Sequence, residues 1–558
     1  MSWKDSDEQV AIYDAIAKND EHILIEAGAG AGKTTTLLKG TLQVPPRNRI
    51  LFCAFNKSVA DELAKKAPAH VECRTTHSLA LKYCQQNSSA VLNTAKVRDV
   101  IDELCSPGGE LKHLKAVLFD SFRDITSLVG LAKAYLIDAR DERGLRKLVD
   151  SLGINLPFGV FDIAYAAHCM TALDTRSIDF DEMLYFAVKK NWAGVGAGGQ
   201  EDKYDTIFVD EAQDLNKAQH EFLSMILKPG GRMIGCGDQR QAIYMFRGSN
   251  PDSMDMMRTK FGAAQKPLMT TWRCAQSIVA MANEIIGGLR ARPTAPEGIV
   301  ESVSFWELTR KAHTGDFIIG RTNALLIESA CQFIRDGRPF HLANNDQVKN
   351  AKKRLDTWVK RYGDMTSQQI ARSCDRASRS EINDNDDIQI LAALASQGMS
   401  SEKIAEMLDK MMNLRTKEGP KLLTIHGCKG LEADRVFVME EQLPHNKSVK
   451  NPNPKVLDQE YNMAYVAVTR AKKELFIVAA REDSPDGILA LKESSVVTFM
   501  SRFRAGKLDT KPFTPAQEEE VIESVLEDDS ITFDEDEKSE ILGASGASGD
   551  IWDEWGKQ

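Results

Sequence analysis

The run Ala27-Gly28-Ala29-Gly30-Ala31-Gly32-Lys33-Thr34 sets three glycines immediately before a lysine and a threonine. Glycines let backbone N–H groups converge on phosphate oxygens, and a helix N-terminus adds positive potential. The spacing is that of a phosphate loop, with alanine at the first position where glycine is usual. In that reading Lys33 reaches the β- and γ-phosphates of a nucleotide, Thr34 ligates Mg²⁺, and Thr35 joins the nucleotide-binding set. A second segment, IFVDEAQD (207–214), supplies the acids such a loop needs. Asp210 would hold Mg²⁺, and Glu211 would polarise the attacking water. Taken singly, the first is also readable as a glycine-rich turn with a surface lysine and the second as a solvated acidic turn. Together they point to hydrolysis of a nucleoside triphosphate.

These residues need elements to hold them. HILIEAG (22–28) reads as a short buried strand running into the glycine-rich turn, with a helix from Lys33. RILFCAF (49–55) is a second strand backed by a helix over 58–67, and YDTIFVD (204–210) and RMIGCGD (232–238) are apolar strands ending in acids. Strands alternating with helices predict an α/β fold with a parallel sheet, whose active groups lie at the carboxyl ends of the strands. The grammar returns in FIIGRTN (317–323), KLLTIHG (421–427), RVFVME (435–440) and ELFIVAA (474–480). Two α/β units follow, each interrupted by a helical insertion. The expected bounds are 1–89 with 191–266 for the first unit and 90–190 for its insertion. The second unit takes 267–334 with 416–507, and a shorter insertion takes 335–415.

The motifs and their order resemble a known family, the superfamily 1A DNA helicases of the UvrD/Rep/PcrA type. The resemblance covers roughly residues 5–485 and rests on DEQVAIYDAI, CAFNKSVADEL (53–63), RTTHSLA (74–80), DEAQD, GDQRQAIYMFRGS (237–249), TTWRC (270–274), TIHGCKGLE (424–432) and YVAVTRA (465–471). It implies two RecA-like domains with ATP between them, and movement 3′→5′ along single-stranded DNA. It implies that Gln9 recognises adenine, that Trp272 stacks on it and that Glu432 contacts the ribose. Gln241, a few residues beyond a strand end, is placed to touch both the γ-phosphate and the nucleic-acid side. Arg273 and Arg470, in the second unit, are placed to stabilise charge on the γ-phosphoryl group. A surface ion pair is the alternative for either arginine, and a core position for Trp272. Phe55, Tyr244 and Phe246 are candidates for base stacking. Asn56, Thr75, His77, Arg247 and His426 are candidates for backbone contacts. Phe55 and Phe246 are also readable as core, and His77 as a structural histidine. The chain departs from the family pattern at Phe246, where tryptophan is common, and at QEYNMAY (459–465), which keeps one acid, Glu460. The shorter second insertion makes translocation a firmer expectation than unwinding by a monomer. The alternative is a helicase-like ATPase serving as motor or sensor in a larger complex.

The chain has 558 residues and a net charge of −10. Fifteen acids against two lysines after position 514 account for more than that, so residues 1–514 carry a net +3 and remain compatible with a DNA partner. This acidic tail, from 508, is expected to be disordered until a partner orders it. It reads as a solubilising segment, a DNA mimic, or a docking peptide for a protein partner with Ile551, Trp552 and Trp555 as anchors. Ten scattered cysteines without a C-x-x-C pair argue against zinc fingers and disulfide scaffolds and suit a reducing cytoplasm. A polar, acidic N-terminus and the lack of a long apolar run predict no leader and no membrane span.

Overall fold

A computed structural model describes residues 5–18, 20–245, 248–250, 252–343, 345–377, 386–413, 418–440, 443 and 454–479. All of them lie in the compact unit formed by residues 1–499. The acidic tail, with Ile551, Trp552 and Trp555, lies outside the described residues, as do Phe246 and Arg247.

Two six-stranded sheets organise the described chain, and every strand pairing within them is parallel. The first runs in the spatial order 71–74, 50–53, 204–209, 227–237, 23–27, 264–268. Its central strands are apolar on both faces because helices cover both sides, as parallel sheets require. Ile25, Phe52, Phe208 and Ile234 pack on one side, and Leu24, Leu51, Ile207 and Met233 on the other. The strand Ala264–Leu268 carries Pro267 yet pairs with Ile23–Ala27. Only an edge position tolerates the missing N–H. The chain therefore leaves the first sheet after Leu268, two residues beyond the expected 266.

The second sheet runs 299–303, 471–478, 433–439, 317–320, 421–424, 341–342. Two expected strands end early. Lys421–Thr424 stops where the Thr424 hydroxyl accepts from Gly427 N and starts the short helix Ile425–Cys428. Phe317–Gly320 stops before the helix Asn323–Arg335. Helices 96–104, 117–134, 142–151 and 160–173 of the first insertion surround their own apolar core, whereas helix 180–189 packs Met183–Ala187 into the core of the first sheet. The second insertion holds helices 345–362, 367–377, 386–396 and 401–413, whose core is continuous with that of the second sheet. Among the described residues no helix is long and apolar enough to cross a membrane.

Candidate nucleotide site and nucleic-acid face

The phosphate loop leaves the Ile23–Ala27 strand and enters the helix Lys33–Thr41 through Gly30 and Gly32, at φ 71° and 86°. Both lie in the left-handed region that glycine adopts without strain. Gly30 has a second reason to lack a side chain: a Cβ there would stand 2.5 Å from Arg273 Cβ and 2.7 Å from Thr271 Oγ1. The 271–273 segment, which opens the chain's path to the second lobe, thus lies directly on the loop, and Trp272 N donates to Gly30 O at 2.9 Å.

Lys33 Nζ stands 3.2 Å from Glu211 Oε2. Burial opposes its charge, but Glu211, Asp238 and Asp210 together hold its pKa above the ordinary lysine value. Thr34 Oγ1 donates to Asp210 Oδ2 at 2.6 Å. Burial, then the neighbouring Glu211 charge, pushes the Asp210 carboxyl up, whereas Lys33 and Lys429 hold Glu211 low against its own burial. Glu211 itself sits at φ 53°, ψ 44°, a left-handed conformation that non-glycine residues rarely adopt. Such strain concentrates at functional sites, and here it turns the carboxylate toward Lys33.

The pair Thr34 and Asp210 fits Mg²⁺, which takes hard oxygen donors and leaves most of its sphere to phosphate and water. Their hydroxyl and carboxylate oxygens already converge beside the phosphate loop. Among the described residues no cluster of three or more His, Cys, Asp or Glu side chains could hold a metal unaided. A cation at this position would therefore draw on nucleotide oxygens as well.

Behind these groups runs a buried polar chain. Gln213 Nε2 donates to Glu211 Oε2 at 2.6 Å, and its Oε1 accepts from Asp238 N at 2.9 Å. Gln241 Nε2 donates to Asp238 Oδ2 at 2.7 Å, while its Oε1 accepts from Arg470 Nη2 at 3.3 Å. Arg470 is 1% exposed. Its other partners are Val466 O, Leu431 O and Thr469 Oγ1, all neutral oxygens. Burial, with Arg273 nearby, lowers its pKa to about 10. A buried cation without a carboxylate in hydrogen-bond reach is costly unless an anion joins it, so the surface-ion-pair reading of Arg470 does not hold.

Arg273 does form an ion pair, with Nε 2.6 Å from Glu432 Oε2, and Nη1 also donates to Thr469 O. Glu432 binds Lys472 as well, at 2.7 Å. Both residues are thus engaged with partners of their own lobe. Gln9 is buried, donates to Thr36 Oγ1 at 2.9 Å, and has Nε2 3.6 Å from where a Gly32 Cβ would stand. Trp272 is half-buried with the Arg292 guanidinium 5.9 Å from its ring, so the core reading does not describe it. Thr35 is exposed on the first turn of the helix. Tyr465, which the sequence reading did not single out, accepts from Ala29 N at 3.2 Å through its hydroxyl and so ties the second lobe to the phosphate loop.

The second group of candidates lies along the same strand ends. Phe55 is 47% exposed, which excludes the core reading. It stacks on Tyr244 with centroids 5.9 Å apart and planes 13° from parallel. Tyr244 in turn faces His426 at 6.0 Å, and His426 Nε2 lies 3.1 Å from Ile243 O. The row Phe55–Tyr244–His426 crosses from the first lobe to the second. Asn56 and Thr75 follow neighbouring strands in register at Cys53 and Arg74. Each caps a helix, accepting from Val59 N and Ser78 N respectively. His77 is half-buried beside Thr76, and burial lowers its pKa. Gln213, Asp214, Asp238, Lys429 and Tyr465 are the residues the sequence reading passed over. All lie inside the segments it quoted, but spacing alone does not say which side chain meets which.

Comparisons with known proteins agree with this geometry. The UvrD/REP helicase N-terminal domain matches residues 9–262, and the UvrD-like helicase C-terminal domain matches residues 202–482, half of the chain. The chain is 23% identical to the ATP-dependent DNA helicase UvrD2 of Mycobacterium tuberculosis, covering 85% of this chain and 78% of that one. It is 23% identical to the F-box DNA helicase protein 1 of Schizosaccharomyces pombe, over 84% of this chain and 57% of the relative. It is 24% identical to the ATP-dependent DNA helicase PcrA of Bacillus subtilis, over 56% and 44% respectively. Two RecA-like sheets, a phosphate loop facing paired acids, a buried arginine reaching in from the second lobe and these two domain matches converge on one assignment: the chain belongs to the UvrD/REP family of ATP-dependent DNA helicases.

Proposed function

We propose that this helicase is a 3′→5′ single-stranded DNA translocase that separates strands at single/double-strand junctions in DNA replication, repair or recombination. Lys33 carries the β- and γ-phosphates, Thr34 and Asp210 hold Mg²⁺, and Glu211 orients the attacking water. Arg470 and Arg273 stabilise charge on the γ-phosphoryl group, with Gln241 between them and the acids. Gln9 and Trp272 take the adenine and Glu432 the ribose. The phosphate-loop backbone of residues 27–32 completes the nucleotide cradle. DNA bases stack along Phe55, Tyr244 and Phe246, with Asn56, Thr75, His77, Arg247 and His426 on the backbone. ATP closes the lobes, hydrolysis releases them, and the bases shift along the row.

The observation that carries this reading is the aromatic row Phe55–Tyr244–His426, which spans both lobes beside the cleft where Arg470 meets Gln241. A row crossing the moving boundary changes its spacing whenever the lobes do. The test is unwinding of matched 3′-tailed and 5′-tailed duplexes with ATP turnover followed in parallel. Unwinding only from the 3′ tail is expected. Unwinding from the 5′ tail alone overturns the polarity. Stimulated turnover without unwinding of either substrate transfers the chain to the second reading, a motor or sensor subunit of a larger complex. The acidic tail, through Ile551, Trp552 and Trp555, is our proposed contact for that partner.

A further inference from the structure

Lys429 lies in the second lobe, one residue past the Ile425–Cys428 helix, and its ammonium is buried in the first. Nζ donates to Asp214 Oδ1 and Oδ2 at 2.8 and 2.6 Å and to Gln241 O at 2.7 Å. It also stands 4.7 Å from the centroid of the Tyr244 ring. The two side chains of the ion pair are 8% and 1% exposed. All four contacts are to first-lobe groups, and they belong to two different functional neighbourhoods.

On one side is the nucleotide chemistry. Asp214 follows Glu211 by three residues, and Gln241 is the residue that touches Arg470 through its side chain. Lys429 grips Gln241 by its backbone carbonyl, so the Gln241 side chain stays free for Asp238 and Arg470. On the other side is the stacking row. Tyr244 is three residues beyond Gln241; it stacks on Phe55 and has the tilted His426 ring 6.0 Å away. A cation held against a ring at this distance is attracted by its face, more strongly where water is excluded. A shift of the Tyr244 ring therefore changes the seat of the ammonium, which also sets the Asp214 and Gln241 geometry.

We infer that Lys429 is a positioning residue that transmits occupancy of the nucleic-acid row to the γ-phosphate end of the nucleotide site, through Tyr244 on one side and Asp214 with Gln241 on the other. Lobe closure delivers the ammonium into the first lobe, and lobe opening withdraws it, leaving Asp214 without its counter-ion. Burial already pushes the Asp214 carboxyl up to about 6 with Lys429 in place, which fits a carboxylate that depends on this partner to remain charged. The inference rests on the reading of the chain as a DNA-dependent motor.

The readout is the ratio of ATP turnover with saturating oligothymidylate to turnover without it, since a merely structural clamp lowers both rates alike. For Lys429→Met the ratio is expected to fall about tenfold, inside the usual range for coupling between two sites. Asp214→Asn, which keeps the shape of the side chain, should lower the ratio similarly. The double variant should lose no more than the worse single one, because both changes cut one path. If Lys429→Met does not fold, Asp214→Asn alone carries the same reading. A ratio within about twofold of wild type in either variant, or losses that multiply in the double, overturns the inference. A wild-type protein that ignores DNA overturns the proposed function and the relay with it. A stimulated wild type beside an equally stimulated Lys429→Met overturns the relay alone.

Discussion

Two regions of this molecule bury lysine ammonium groups, and they do so in opposite ways. In the first insertion Lys133 is fully buried, with Nζ 2.6 Å from Asp179 and 3.2 Å from Glu182. Lys96 meets Glu182 at 2.8 Å and three backbone carbonyls, those of Thr171, Asp174 and Ser177. Asp179 and Glu182 are themselves the two halves of a capping box that starts the helix Phe180–Lys189. Every partner belongs to the same insertion, and the cluster is neutral overall. Lys33 and Lys429 instead line the cleft between the lobes, where Lys33 faces a glycine loop shaped for phosphate and Lys429 takes all its partners from the opposite lobe. The chemistry is the same, but the first set is scaffold and the second is machinery. What separates them is what the ammonium still awaits: Lys133 and Lys96 are satisfied inside the insertion, whereas Lys33 faces a loop built for phosphate and Lys429 depends on the opposite lobe.

That contrast can be broken, beginning where the effect should be largest. Lys33→Ala should lower ATP turnover by about a thousandfold or more, because the cation is aimed at charge that develops on the γ-phosphoryl group. Its melting temperature should stay within about 3 °C of wild type, since little stability rests on a cation that waits for a ligand. Turnover assays paired with calorimetry check both halves, and a variant that still turns over ATP would end the assignment of the site. Lys133→Met should do the reverse. Leaving Asp179 and Glu182 buried without their counter-charge should cost about 3–5 kcal/mol in urea unfolding, with turnover per folded molecule retained. Equal stability losses in the two variants would erase the distinction drawn here.

The smallest effect sharpens the comparison through pH. His168 is buried beside the Lys133 cluster, with Nε2 3.1 Å from Ile137 O. Burial, then the Lys133 charge, lowers its pKa from the ordinary 6.5 to about 4. Between those values the unfolded chain binds a proton that the folded chain refuses, so stability falls as pH drops. This contribution is fully present above pH 6.5 and gone by about pH 4, roughly 3 kcal/mol at ~1.4 kcal/mol per unit. The difference between wild type and His168→Gln, followed by urea unfolding at several pH values, isolates it from the carboxylates. A difference that does not change with pH would show that His168 is not held neutral.

Much of the site was legible in the sequence because its chemistry is local. A glycine run before Lys33-Thr34 and an apolar strand ending in Asp210-Glu211 each announce themselves within a few residues, and parallel packing brings such strand ends together. What was not legible depends on pairing between distant segments. AQKPL (264–268) has no strand signal, and its proline is tolerated only because the sheet leaves it an edge. Asn56 and Thr75 read as nucleic-acid contacts, yet the structure also gives each a helix to cap, which is equally a property of its residue type. The left-handed backbone at Glu211 has no sequence signature at all, since glutamate is an ordinary helix former. Lys429 sits in plain view inside TIHGCKGLE, but its meaning comes from Asp214, more than two hundred residues away in the chain.

Gly30 has a consequence for how the motor can be stopped. The space left by its missing side chain is filled from the other direction by Arg273 and Thr271, so the cleft closes to contact distance here. A single methyl group there is a wedge: it would hold the doorway of the cleft ajar while leaving Lys33, Asp210 and Glu211 chemically intact. An enzyme stalled in that way keeps all of its reagents and loses only the stroke.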